Sequence, residues 1–227
     1  MKRVLLILAA LSVSAGLVLA QGTNGRIRVI HASPDAPAVD IYVNGGKVLE
    51  KLPFREYSEY LSLPAASYSI DIKVAGTDTT VKTVPVTVAA GKDYSAIAAG
   101  YAGGGSPGFD VMLLEDDNSL PNNNGVKLRV VHAAPGAPAV DVYATSPFET
   151  LMGKTPVLSG VPFKAASGYL QVPTGMYQAR VAVAGTQTVA IDSGRLVTWN
   201  NMVRTIIAVD ATGGGGPFQL LVLPDRN

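Results

Sequence analysis

Hydrophobic and polar residues alternate most clearly in the stretch YSIDIKVA, where Tyr68, Ile70, Ile72 and Val74 face one way and Ser69, Asp71 and Lys73 the other. A period of two marks a strand with one buried face. The same pattern returns at Tyr177, Ala179, Val181 and Val183. Short apolar runs at 27–31, 39–43, 81–88, 94–99 and 109–114, parted by Gly, Pro and Asn clusters, predict further strands. Beyond the first twenty residues no long stretch keeps a helical period with caps. Asn44-Gly45, between Val43 and Lys47, predicts a tight hairpin. About seven or eight strands per hundred residues predict an all-β fold, a β-sandwich of immunoglobulin-like or transthyretin-like outline, with a barrel as the alternative.

The chain repeats itself. RIRVIHASPDAPAVDIY, from Arg26 to Tyr42, recurs as KLRVVHAAPGAPAVDVY, from Lys127 to Tyr143, with nine identities in the twelve positions from His to Tyr. Pro53, Phe54, Tyr60, Pro64 and Tyr68 are matched by Pro162, Phe163, Tyr169, Pro173 and Tyr177, and FDVMLLEDDN at 109–118 by FQLLVLPDRN at 218–227. The offset is 101 residues at His31/His132 and 109 at Pro53/Pro162. Eight extra residues therefore lie in copy two, within Thr145 to Gly160, where copy one has the compact Asn44 to Lys51. Insertions of this kind sit in surface loops, and this one is the first place to look for a difference in function. The polar stretch DDNSLPNNNG, 116–125, has no periodicity and reads as a linker between domains at 21–115 and 126–227.

The first twenty residues change the picture from a protein to an exported one. Lys2 and Arg3 precede an uncharged apolar run from Val4 to Leu19, and Val18 and Ala20 fit a small-residue cleavage site, so residues 1–20 read as a signal peptide. The competing reading is a retained anchor, since the run approaches spanning length. No cysteine follows for lipid attachment, and no second apolar run of that length appears, so no membrane span is expected after cleavage. The expected place is secreted, periplasmic or at the cell surface. Without Lys2 and Arg3 the chain carries 16 basic against 17 acidic residues, which gives no reason to expect nucleic acid as a partner. With no cysteine, thiol catalysis, cysteine zinc sites and disulfides are excluded, and no cofactor is expected.

The paired HAxPxAPAVDxY segments, each opening a β domain of about a hundred residues, resemble the domain of unknown function 4397 family of exported bacterial proteins. The resemblance covers nearly all of the chain beyond the leader. It implies an extracytoplasmic β-sandwich module and brings no catalytic residues with it.

Candidate chemistry is sparse. His31 and His132 are the only histidines, one at the same point of each copy. A buried imidazole at that strand end ties the following loop to the sandwich, with Asp40 or Asp141 as partner or loop cap. A ligand or metal corner built on His31/Asp40 and His132/Asp141 is the alternative, though one imidazole and one carboxylate fall short of a closed metal shell, and no metal site is expected. Tyr42 and Tyr143 follow on the outward parity of the same strand and could stack on a sugar or a partner protein, or pack under a neighbouring loop. Gly104, Ser106 and Gly108 fit GxSxG, but Pro107 lacks the N–H an oxyanion hole needs, so the segment reads as a glycine-rich hairpin loop. Glu115, Asp116, Asp117 and Asn118, with 122–124, could hold calcium but lack the spacing of a calcium loop, and a solvated linker is the simpler reading. The expected function is a non-enzymatic binding or structural module of the cell envelope or extracellular space, its partner an envelope component, protein or glycan. A small-ligand carrier is the alternative and an envelope-polymer hydrolase the least supported.

Overall fold

The computed structural model describes residues 23–226 and contains sixteen strands. The expected signal peptide lies outside the described residues. Copy one runs β1 (Asn24–Ala32), β2 (Val39–Val43), β3 (Gly46–Leu52), β4 (Leu61–Pro64), β5 (Ala66–Val74), β6 (Thr80–Val88), β7 (Asp93–Ala99) and β8 (Asp110–Asp116). Copy two repeats them as β9 (Val126–His132), β10 (Val140–Thr145), β11 (Leu158–Val161), β12 (Leu170–Val172), β13 (Met176–Val183), β14 (Val189–Val197), β15 (Val203–Val209) and β16 (Gln219–Arg226). Each copy is a sandwich of two four-stranded sheets. Copy one has β4-β1-β7-β8 and β3-β2-β5-β6, and copy two has β12-β9-β15-β16 and β11-β10-β13-β14. β1 pairs parallel with β7 and β9 with β15; the other pairs are antiparallel.

The hairpin signal is realised by Asn44 and Gly45, both with positive φ (48° and 82°), which joins β2 to β3 with the twist that antiparallel strands need. Strands β3 and β4 are short or exposed on both faces, so they left no periodic mark in the sequence.

Side-chain parity divides β1 into two buried faces. Ile27 and Val29 point into the core of copy one, with Val39, Ile41, Ile70, Ile72, Val86 and Tyr94. Ile30 and Ala32 point the other way, into a second core that contains residues of both copies: Ile97, Ala99 and Met112 from copy one, and Val131, Ala133, Ile207, Val209 and Leu223 from copy two. Copy two has its own interior around Val140, Val142, Val181, Ile191 and Ala208. The molecule is thus four sheets deep, and the two central sheets, β4-β1-β7-β8 and β12-β9-β15-β16, lie face to face. This is why RVIHA and SAIAA show no polar alternation, since strands buried on both faces read as continuous apolar runs.

Candidate functional site

The second core ends on one side in a buried charge network. Arg28, one residue outside the apolar stripe of β1, is 1% exposed and reaches across the junction. Its Nη2 donates to Asp225 Oδ1 at 2.5 Å, its Nη1 to the carbonyl of Pro224 at 2.8 Å, and its Nε to Ser95 Oγ at 2.8 Å. Arg129, the residue matching Arg28 in copy two and 3% exposed, makes the reciprocal set. Its Nη2 donates to Asp116 Oδ1 at 2.5 Å, its Nη1 to the carbonyl of Glu115 at 3.1 Å, and its Nε to Thr205 Oγ1 at 3.1 Å. Ser95 and Tyr60 donate to Asp116 Oδ2 at 2.7 and 2.6 Å, while Thr205 and Tyr169 donate to Asp225 Oδ2, each at 2.7 Å. Each guanidinium also lies 4.9 Å from the ring centre of the tyrosine in its own copy.

Every member of one half has its counterpart in the other, so the copies are related by an approximate two-fold axis along the strands. The two guanidiniums and two carboxylates balance. Burial opposes the charge on Arg28, but Asp225 and Asp116 outweigh it and raise its pKa. Burial, then the neighbouring carboxylate, pushes the phenols of Tyr60 and Tyr169 far above their usual range, so both remain neutral donors.

Beside this network opens a cleft of about 550 Å³, lined by Arg26, Tyr57, Glu59, Tyr60, Asn118 and, from copy two, Pro224. Arg26 is bidentate to Asp93, at 2.7 and 2.6 Å, with half of its side chain still exposed. The wall therefore mixes a guanidinium, a carboxylate, two phenols and an amide. Across the two-fold axis the equivalent ground is covered. Lys127, which takes the place of Arg26, is buried with its ammonium 2.6 Å from Asp117 Oδ2 and 3.1 Å from the carbonyl of Ser119. The segment joining the copies closes that side.

The residues singled out in the sequence lie elsewhere. His31 is buried with its Nε2 3.0 Å from the carbonyl of Pro37, its Nδ1 3.4 Å from the Ser33 N–H, and its ring edge-on to Phe54 at 6.1 Å. His132 repeats this with Pro138, Ala134 and Phe163. These contacts fit a neutral ring protonated at Nε2, and burial holds both pKa values below the usual imidazole range. Asp40 turns to the other side of the sheet, where Lys47 Nζ and the N–H groups of Lys51 and Gly76 donate to it at 2.8, 2.8 and 3.2 Å. Those donors hold its pKa down to about 2. Asp141 accepts from the N–H groups of Gly160 and Gly185. Each aspartate is a loop cap, directed away from the histidine nine residues before it. Tyr42 lies half-buried between the ammonium groups of Lys47 and Lys73, 5.5 and 4.6 Å from its ring centre. Tyr143 is buried with Leu151 and Ala182, because the inserted loop folds over it.

The loops after the histidines meet at the far end of the two-fold axis from Arg28. Asp35 accepts from the N–H groups of Ala102 and Gly103, at 2.8 and 2.9 Å. Copy two has Gly136 at that position, and the carboxylate comes from Asp210 instead, which accepts from the N–H groups of Gly136 and Gly215 and from the Tyr101 hydroxyl of copy one. A Cβ on Gly136 would stand 2.7 Å from Asp210 Oδ2 and 2.7 and 2.8 Å from the backbone N and Cα of Gly215, so only glycine fits against the loop that Asp210 closes. Ser106 lies in the exposed glycine loop between β7 and β8, as read from Pro107. Of the acidic stretch expected as linker, Asp116 belongs to β8 and is buried on Arg129, and Asp117 serves Lys127, Ser119 and its own turn. Those oxygens are occupied by protein cations and donors. Among the described residues no group of three or more His, Asp or Glu converges as a metal site.

Sequence reasoning missed Arg28, Arg129 and Asp225, and read Asp116 as linker or calcium ligand where it is the buried partner of Arg129. The signal was there: an arginine kept in both copies inside an apolar run, and the aspartates kept where LLEDDN becomes VLPDRN.

A family model described as Domain of unknown function (DUF4397) matches residues 25–143 and again 144–227. Its division falls inside β10, whereas the sheets divide at the segment joining β8 to β9. No curated protein matches the chain. Among solved structures, a family 26 carbohydrate-binding module from Eubacterium rectale in complex with maltoheptaose is 14% identical, with 90% of this chain and 98% of that chain covered at a TM-score of 0.26. Family 41 modules of streptococcal virulence factors, described for alpha-glucan recognition, are 10% identical over 85% and 95% at 0.28. A putative adhesin from Bacteroides ovatus is 12% identical over 89% and 93% at 0.27. At such TM-scores these likenesses carry no argument about ligand.

Proposed function

The chain belongs to the family described as Domain of unknown function (DUF4397), and on that premise we propose that it is a non-enzymatic exported module that holds a polar partner of the cell envelope, protein or glycan, in the cleft where its two copies meet. The observation that carries this reading is the cleft itself. It is roomy enough for a sugar-sized or peptide-sized group, is lined from both copies, and sits against a rigid charge network that fixes its walls. Arg26 and Glu59 offer charge-assisted hydrogen bonds of opposite sign, and Tyr57 and Tyr60 offer ring faces and hydroxyls, a set suited to a neutral or zwitterionic polar ligand. The buried carboxylates are engaged by arginines, hydroxyls and backbone N–H groups, which argues for a structural rather than a catalytic use of them.

Titration calorimetry against solubilised peptidoglycan fragments, envelope oligosaccharides and envelope protein fractions tests this. Saturable heat that disappears in Arg26→Ala and Glu59→Ala, with melting temperatures unchanged, is the expected result. Binding untouched by both substitutions, or turnover of the added polymer, overturns it.

A further inference from the structure

The two copies differ most at one end of the molecule. β1 and β9 both begin at the pole of Arg28 and Arg129, while the loops that follow His31 and His132 meet at the opposite pole, where the Gly213 N–H donates to the carbonyl of Pro34. At the first pole, on the outer sheet of copy one, Ser67 pairs with Thr87 and their hydroxyls are 3.0 Å apart. By the register of the outer sheet, copy two has Met176 and Val197 there, paired across β13 and β14, and two residues after Val197 it has Trp199, where copy one has Ala89 two residues after Thr87. All three side chains are exposed, Trp199 at 60%. The inserted loop adds Phe148, 88% exposed and held at φ 67° by a hydrogen bond from its N–H to Gln178 Oε1, two residues from Met176 on the same face. Leu120, exposed on the segment joining the copies, lies at this pole as well. A bulky residue in the left-handed region is strained, and here the strain presents a ring to solvent.

The chain leading into copy one leaves from the same pole. Thr23 lies beside Ala65, whose N–H donates to its carbonyl, and the uncharged apolar residues 4–19 upstream hold this end of the chain at a membrane during export when the leader is cut, and permanently when it is kept as an anchor. That exit point, and the mixture of Trp, Phe and aliphatic side chains at one end of the body, set the occupant apart from a soluble partner. We propose that this pole lies on a membrane surface, with Trp199, Phe148, Met176 and Val197 seated at the boundary of headgroups and acyl chains. Trp favours that depth because its ring is apolar and its N–H is polar. The patch shares no residue with the lining of the inter-copy cleft, so substitutions in one leave the other's side chains in place.

All sixteen strands and the three cores lie within residues 24–226, so the chain lacking residues 1–22 carries the whole described body. Trp199 is the only tryptophan and reports directly. The test adds phosphatidylcholine vesicles to that chain. The expected result is a blue shift of Trp199 emission together with co-sedimentation, and a fall in partitioning of about tenfold or more in the variant Phe148→Ser, Met176→Ser, Val197→Thr, which imports the residues of copy one at two of the positions. An unchanged melting temperature shows that the variant is folded; if it is not, Phe148→Ser alone, on an exposed loop, replaces it. No pelleting, pelleting indifferent to the substitutions, or an emission shift given by soluble oligosaccharide and not by vesicles overturns the proposal.

Discussion

Removing one member of the Arg28–Asp225 pair should damage the protein more than removing both. In Arg28→Met the Asp225 carboxylate keeps its bonds from Thr205 and Tyr169 but loses its counter-charge at a site closed to water, and Ser95 and the Pro224 carbonyl each lose a donor. A buried charge left uncompensated costs about 3–5 kcal/mol. For a body of this size each kcal/mol moves the midpoint by about 2–4 °C, so the melt should fall by roughly 6–20 °C. Asp225→Leu strands Arg28 in the same way. Arg28→Met with Asp225→Leu removes both charges and fills the space with apolar atoms against Ile30 and Leu223, so it should lie within about 2 kcal/mol of the parent. Denaturant and calorimetric melts of the four proteins close a double-mutant cycle. The reasoning is refuted if either single variant stays within about 1 kcal/mol of the parent, or if the double variant loses the sum of the singles.

Three further outcomes follow from the same contacts. His31 and His132 are buried with depressed pKa values, so the unfolded chain takes up protons more readily; stability is full above about pH 6.5 and is lost as pH falls from there toward the folded-state pKa values. Melts at fixed ionic strength from pH 8 to 5 should decline through that window, and a flat or rising midpoint contradicts the assignment. Gly136→Ala should cost about 1–3 kcal/mol by pushing the methyl against Asp210 and the Gly215 backbone, and because the backbone contact remains, Asp210→Gly in the same chain should not restore the melt to that of the parent. Copy one expressed alone would expose Ile30, Ile97 and Met112 together with an unpaired Arg28, so light scattering should find it self-associated or loosely folded, and a stable monomer would deny the energetic weight given to the junction.

The repeat, the strands with one wet face and the Asn44-Gly45 turn were legible because they depend on local rules: side-chain period, backbone freedom at positive φ, and self-similarity. So was the histidine at the end of β1, whose neighbours in sequence supply the carbonyl and N–H it uses. Asp40 was harder to place, since its donors at Lys51 and Gly76 come from loops that only the folded sheet brings over it. Tyr143 and Tyr42 share a parity and a motif yet differ in burial, because eight inserted residues cover one and leave the other beside two lysines.

By itself the sequence determined that this chain is two copies of one β domain, with the periodic strands and the Asn44-Gly45 turn but not β3 and β4, because those features rest on contacts between near neighbours and on a pattern repeated within the chain. Only the tertiary structure decided that the copies face each other through their central sheets, that Arg28 meets Asp225 and Arg129 meets Asp116 across roughly two hundred and a dozen residues respectively, and that a cleft opens beside Arg26 while its counterpart Lys127 is buried under the segment joining the copies. The physical reason is that an apolar strand face is the same in sequence whether it covers its own domain's core or its neighbour's. Which surface it meets is settled by shape and charge complementarity between parts of the chain that no local pattern connects.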